Sequence, residues 1–95
     1  MKYNTPKQRK KIYEKAISYI EGLNKDEEIG LCIIIGDIIF EEGFDSDECP
    51  CEFSEDYMPE LHKQKPKNAN YYGWWKSTNH KRRIKALEDA IKLCK

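Results

Sequence analysis

The residues best suited to binding chemistry are concentrated between positions 71 and 83. This stretch, YYGWWKSTNHKRR, begins with four aromatic rings within five positions and ends with a histidine and three cations. Aromatic rings stack on nucleic-acid bases while neighbouring cations contact phosphates, and the same residue types anchor protein–protein interfaces. The candidate binding residues are Tyr71, Tyr72, Trp74, Trp75, Lys76, His80, Lys81, Arg82 and Arg83.

The same stretch also has a structural interpretation. Trp74 and Trp75 are large enough to fill a small core, but adjacent tryptophans outside a helix cannot easily both point inward. We expect one ring to be buried and the other to contact a ligand or partner. Gly73 permits a sharp turn and residues 77–79 are suitable helix caps, so only part of the stretch is expected to bind.

A second candidate is the pair Cys49 and Cys51, which a zinc ion could use together with His62, His80 or Cys94. Structural zinc sites are tetrahedral and usually combine two ligand pairs, but the sequence contains no second cysteine pair. We therefore expect no metal and no cofactor. No sequence signature marks a nucleophile with a base and an orienting group, so we also expect that the protein is not an enzyme.

The composition indicates a single small globular domain over residues 1–95. The chain is 39% hydrophobic, 12% aromatic and 36% charged, which is typical neither of a disordered chain nor of a membrane protein. Its longest apolar run, residues 31–35, is far shorter than the roughly 18 residues that span a bilayer. We expect a cytoplasmic protein without membrane contact, in which Cys32 and Cys94 are thiols on apolar helix faces.

The net charge of zero conceals three blocks of alternating sign. Residues 1–20 contain six Lys or Arg and one acid, residues 21–60 contain fourteen Asp or Glu and one Lys, and residues 61–95 contain ten Lys or Arg and two acids. This order predicts that the two basic ends pack against the acidic middle. The alternative is a charged surface for an external partner.

The fold is predicted to be mainly α, with three principal helices and a long packed connector. Thr5, Pro6 and Gln8 have the spacing of a capping box at the start of the first helix. Apolar residues recur every three or four positions in the first and last helices, as expected for helices with one buried face. The predicted helices cover residues 5–22, 26–42 and 79–94.

The middle segment, LCIIIGDIIFEE, has two interpretations. As a helix it is capped by Asp26 and ended by Gly43, and its narrow polar stripe suits a central helix flanked by two others. Phe40 then belongs to the apolar surface around that stripe. As a β-hairpin over residues 31–42 it turns at the Gly-Asp pair, but no third strand is available to support it. We favour the helix.

In the connector between Phe44 and Thr78, apolar residues do not recur with a sustained helical or strand period. A structureless loop of that length is unusual in so small a domain, so we expect the connector to fold back onto the helices. The segment YMPELHKQ is predicted to form a short helical turn there, with Tyr57, Met58 and Leu61 as its apolar contacts.

The order of these motifs resembles that of small uncharacterised proteins encoded by bacteriophages and prophages. The motifs are MPELHKQKPKN, the aromatic YYGWW and the closing KRRIKALEDAIKL. The resemblance implies a three-helix protein in a phage setting, and it brings no catalytic residues. The CPCEF stretch and the Gly36-Asp37 pair depart from the pattern.

Together these features predict a small phage-type accessory protein that acts by binding. The first hypothesis is a protein-interaction or inhibitor module that contacts a partner protein or a second copy of itself through Trp74 or Trp75 and the charge-segregated surface. The alternative is a protein that binds nucleotides or nucleic acid through residues 71–83. A zinc-dependent module or enzyme built on Cys49 and Cys51 is the least favoured hypothesis.

Overall fold

The fold was analysed in a computed structural model, which describes residues 5–24, 27, 30–43, 58–64 and 80–94, with backbone alone at 31 and 32. These residues form four helices and no strand, so the predicted mainly α fold is confirmed and a hairpin over 31–42 is not supported. The helices are α1 (Pro6–Glu21), α2 (Leu31–Glu41), α3 (Pro59–His62) and α4 (His80–Leu93).

Helix α1 begins at the predicted capping box. The Gln8 backbone N–H donates to Thr5 Oγ1 (3.2 Å), and Gln8 Oε1 accepts from the Thr5 backbone N–H (3.2 Å). Pro6 occupies the first helical turn, where its missing N–H is not needed. The buried side chains of α1 recur at helical spacing and include Ile12 and Ile20. The local signals therefore place this helix within one residue of the predicted 5–22.

Helix α2 begins later than predicted, at Leu31 rather than near residue 26. Gly30 has an extended backbone (φ −66°, ψ 135°) and gives the helix no side-chain cap. Before it, the Glu27 N–H donates to the Asn24 carbonyl (3.1 Å) and Glu27 Oε2 accepts from the Asn24 N–H (3.3 Å), which closes a tight turn. Glu27 therefore belongs to this turn rather than to the first turn of the helix, while the predicted cap, Asp26, lies outside the described residues.

Among the described helices the central one is α1, and α2 is not flanked by two of them as predicted. Helix α1 packs against both α2 and α4, whereas α2 packs mainly against α1. Phe40, expected on the buried surface, is 85% exposed. The error arises because the α2 sequence is apolar around most of its circumference, so its pattern alone does not identify the buried side.

The connector contributes the predicted helical turn as α3. Met58 and Leu61 are fully buried, as expected, whereas Tyr57 lies outside the described residues. Helix α3 packs against α4, where Leu87 and Ala90 are fully buried. The start of α4 at His80 agrees with the predicted 79–94.

Two leucine substitutions test the position of the core. Leu61→Ala removes a fully buried side chain and is expected to lower the free energy of unfolding by about 2–5 kcal/mol, because it leaves a cavity. Leu93→Ala removes the same atoms from a side chain that is 42% exposed and is expected to cost less than about 1 kcal/mol. Urea denaturation followed by circular dichroism measures both. If Leu61→Ala lowered the free energy of unfolding no more than Leu93→Ala, residue 61 would not lie in the core.

Candidate interaction surface

Only the last part of the predicted aromatic and basic stretch lies within the described residues. Lys81 and Arg82 are exposed in the first turn of α4, and His80 is half-buried. Arg83, expected to offer a cation to a ligand, is only 1% exposed. The predicted residues outside the described part are Tyr71, Tyr72, Trp74, Trp75 and Lys76.

His80 and Arg83 make contacts within the fold. His80 Nε2 lies 2.9 Å from the Asn24 carbonyl oxygen, and Arg83 Nη2 lies 2.7 Å from His80 Nδ1. Because a carbonyl only accepts, Nε2 carries the hydrogen and Nδ1 accepts from the guanidinium. Burial lowers the pKa of Arg83. These two side chains connect the start of α4 to the turn after α1, so they do not form an open cationic surface.

The metal hypothesis gains no support from the part of the chain that the structure describes. His62 is half-buried at the end of α3, while Cys49 and Cys51 lie outside the described residues. Across residues 5–24, 27, 30–43, 58–64 and 80–94, no group of three or more His, Cys, Asp or Glu side chains could hold a metal ion. Cys94 is half-buried and packs against the core, where burial raises the pKa of its thiol to about 11. A neutral thiol is a weak nucleophile.

A buried ion pair that the sequence did not reveal joins α1 to α3. Arg9 donates from Nε to Glu60 Oε1 (2.8 Å) and from Nη2 to Glu60 Oε2 (2.9 Å). The Tyr13 hydroxyl donates to the same Oε1 (3.0 Å). Arg9 precedes the buried Ile12 by three positions and so lies on the buried face of α1. That spacing could have indicated the burial of Arg9, but not its partner.

Electrostatics favour the ionised form of this pair. Burial alone would raise the pKa of Glu60. The hydrogen bond from Arg9, a backbone hydrogen bond, the hydrogen bond from Tyr13 and the charge of Arg9 together outweigh it and hold the pKa below its ordinary value. The hydrogen bond to Glu60 raises the pKa of Arg9, and burial raises the pKa of Tyr13. The group is satisfied internally, and we assign it a structural role.

The basic N-terminal block also contacts the acidic middle near the end of α2. Lys11 Nζ lies 2.9 Å from Glu42 Oε2, and Lys15 forms a second ion pair with the same carboxylate. The Lys15 hydrogen bond, followed by that from Lys11, lowers the pKa of Glu42. With the Arg9 pair, these contacts follow the predicted attraction between the first two charge blocks.

The two large apolar side chains with the highest exposed fractions among the described residues lie on the side of α2 that faces away from α1. Ile33 is 55% exposed and Phe40 is 85% exposed, and their spacing of seven places them on one face, about two turns apart. Gly36 lies between them, and a Cβ added there would meet nothing within 4 Å. We call Ile33, Gly36, Asp37, Phe40 and Glu41 the α2 outer face.

Acidic side chains border one side of this apolar stripe. Asp37 and Glu41 are both exposed and are one helical turn apart. Neither forms a salt bridge with another residue in the described ranges. The α2 outer face therefore combines two apolar projections, a gap at Gly36 and a negative edge, and it is the candidate site for contact with another molecule.

The Arg9–Glu60 pair can be tested by neutralising the carboxylate. Glu60→Gln leaves the buried guanidinium without its counter-charge and is expected to lower the free energy of unfolding by about 3 kcal/mol at neutral pH. Glu88→Gln makes the same change on the exposed side of α4 and should have an effect within about 0.5 kcal/mol. Chemical denaturation of the three proteins measures the difference.

The pH dependence of the same variant has a defined sign. Because the folded protein lowers the pKa of Glu60 from 4.5, its contribution is complete above that value and is lost as the pH falls through the folded pKa. The stability gap between the wild type and Glu60→Gln should therefore narrow as the pH falls below about 4.5. A gap that stays constant into strong acid would mean that the charge of Glu60 does not stabilise the fold.

Comparison of the chain with family models, curated proteins and solved structures finds no match. The resemblance to phage and prophage proteins therefore stays a prediction. Among the described residues, no helix is both long enough and apolar enough to cross a membrane. The functional inference accordingly depends on the geometry of the α2 outer face.

Proposed function

We propose that the protein acts by binding another protein, and that the α2 outer face is the contact surface. The observation that carries this proposal is the 85% exposure of Phe40 on the same helix face as the half-exposed Ile33. Aromatic side chains of this kind are common anchors at the centres of interfaces. Full burial of the Phe40 side chain by a partner would contribute about 1.5–3 kcal/mol before the costs of association, and burial of the half-exposed Ile33 would contribute less.

Contacts among the described residues give no reason for apolar residues on this face. Four isoleucines, Ile34, Ile35, Ile38 and Ile39, already fix α2 on the core through its opposite side. Exposed polar residues at 33 and 40 would leave those contacts unchanged. An apolar stripe that folding does not require is typical of a surface that a partner covers.

The same proposal assigns the protein no catalytic step. Cys94, the cysteine whose side chain is described, has a raised pKa and is poorly suited to nucleophilic attack. We place the binding in a reducing cytoplasm, that of the host if a phage encodes the protein, where free thiols persist. An accessory protein that inhibits the protein it binds fits this proposal.

Binding of nucleotides or nucleic acid through residues 71–83 is the alternative, and it has less support. Of the predicted cations in α4, Arg83 is buried against His80. In the next turn Lys85 is engaged by Asp89 (3.0 Å). Lys81 and Arg82 are the predicted cations that are exposed there. Within the described residues of the stretch, these two exposed cations give a weak electrostatic footprint for a polyanion.

Substitution of Phe40 tests the proposed surface. Tagged wild type and Phe40→Ala are used to capture proteins from a lysate of the encoding organism, with quantitative mass spectrometry as readout. We expect a specific partner to be reduced at least about tenfold by Phe40→Ala, because an interface anchor is lost. Folding should be unaffected, because the side chain is exposed.

Leu93→Ala is the control, since it removes an exposed apolar side chain from α4 instead. This variant should retain the partner at the wild-type level. A partner captured equally by wild type, Phe40→Ala and Ile33→Ala would place the interaction elsewhere. Light scattering of the purified protein determines whether a second copy is the molecule bound.

A further inference from the structure

Gly36 occupies a helical position where the fold gains nothing from glycine. It lies inside α2, and a Cβ there would meet no atom within 4 Å. Its φ is not positive, so an alanine could adopt the same backbone without strain. Glycine within a helix is less stable than alanine because its unfolded backbone has more freedom. The missing side chain at residue 36 leaves open space on the exposed side of α2.

The space above Gly36, between Ile33 and Phe40, can receive one side chain of a crossing helix. Ile33 and Phe40 are seven residues apart, which separates them by about 10 Å along the helix axis. Helices pack with axes about 8–10 Å apart, with the ridge of one in the groove of the other. A helix that crosses α2 at Gly36 could place a large apolar side chain between Ile33 and Phe40.

The negative edge indicates the charge of that helix. Asp37 and Glu41 lie beside the stripe, and both are exposed without salt bridges to other residues in the described ranges. A helix lying on the stripe would bring its own flank close to these carboxylates. Lys or Arg on that flank would be attracted, whereas Asp or Glu would be repelled.

We propose that the α2 outer face docks an amphipathic helix of another protein, with an apolar ridge against Ile33, Gly36 and Phe40 and cations facing Asp37 and Glu41. This inference rests on the proposed function and specifies the partner's chemistry. A second copy of the chain fits less well. In an antiparallel pair of α2 helices crossing at Gly36, the two Asp37 carboxylates would lie near each other across the axis and would repel.

A pair of synthetic helices tests the charge preference. The probe is a fluorescent amphipathic peptide of about five turns with a leucine stripe flanked by lysines, and its matched control has glutamates in place of the lysines. Binding is measured by fluorescence anisotropy at low and high salt. We expect wild type to bind the lysine peptide at least about tenfold more tightly than the glutamate peptide at low salt, and the difference to shrink at high salt.

Substitutions on the α2 outer face separate its three components. Phe40→Ala should weaken binding of the lysine peptide at least about tenfold. The double variant Asp37→Asn, Glu41→Gln should weaken it about three- to tenfold at low salt and much less at high salt. Gly36→Ala should raise the midpoint of thermal unfolding by about 2–8 °C while weakening binding at least about threefold.

The two matched controls are Leu93→Ala and Glu88→Gln, which make similar changes on α4 and should bind the lysine peptide within about twofold of wild type. Equal binding of both peptides, or no effect of the double variant, would overturn the cationic-helix inference even if Phe40→Ala still reduced partner capture. If Gly36→Ala bound the lysine peptide as tightly as wild type, the partner helix would not approach α2 closely at residue 36, and this part of the inference would be overturned. If Phe40→Ala changed neither capture nor peptide binding, the proposed function would fall as well.

A stable dimer in light scattering that Phe40→Ala dissociates would identify a second copy as the occupant and would also overturn the inference. A strict monomer is the expected result for the purified wild-type protein. The thermal unfolding of each variant is recorded beside its binding. Binding is measured well below the unfolding midpoint of every variant, so a loss of binding reports on the α2 outer face and not on unfolding.

Discussion

The buried contact between Arg9 and Glu60 holds the short helix α3 against α1. The two residues are 51 positions apart, and burying either charge without the other would be costly. Two hydrogen bonds from the guanidinium and one from Tyr13 fix the orientation of the carboxylate. Met58 and Leu61, on either side of Glu60, are thereby directed into the core. One polar group thus specifies the position of a helix that is too short to be stable alone.

The sequence predicted the features that depend on neighbouring residues. The capping box at Thr5, the periodicity of α1 and α4 and the helical turn before His62 are all local patterns, and all are present. Burial depends on distant parts of the chain. Arg83 was expected at a surface because arginine is usually exposed, but contacts with His80 and the interior remove it from solvent. The pairing of Arg9 with Glu60 could not be read from spacing, although the opposite charges of their blocks indicated its sign.

The α2 outer face was missed for a different reason. The helix is apolar on the side that faces the core and partly apolar on the other, so periodicity cannot show which side α1 covers. The packing of α1 between α2 and α4 decides this. Once α2 is placed beside α1, its four buried isoleucines account for its attachment. Phe40 and Gly36 then depart from what folding alone favours, since one exposes a large apolar ring and the other weakens the helix.

The carboxylates beside this stripe have two consequences for a protein that exposes an aromatic ring. A domain of this size is stable by only about 5–15 kcal/mol, so an uncovered apolar face brings a risk of non-specific association. Asp37 and Glu41 oppose close approach by another copy through like-charge repulsion, because each copy presents the same negative edge. The same carboxylates attract a cationic surface. Because they lie beside the apolar stripe, they do not block access to it. Asp37 and Glu41 can therefore serve both purposes: they limit self-association and they favour a cationic partner.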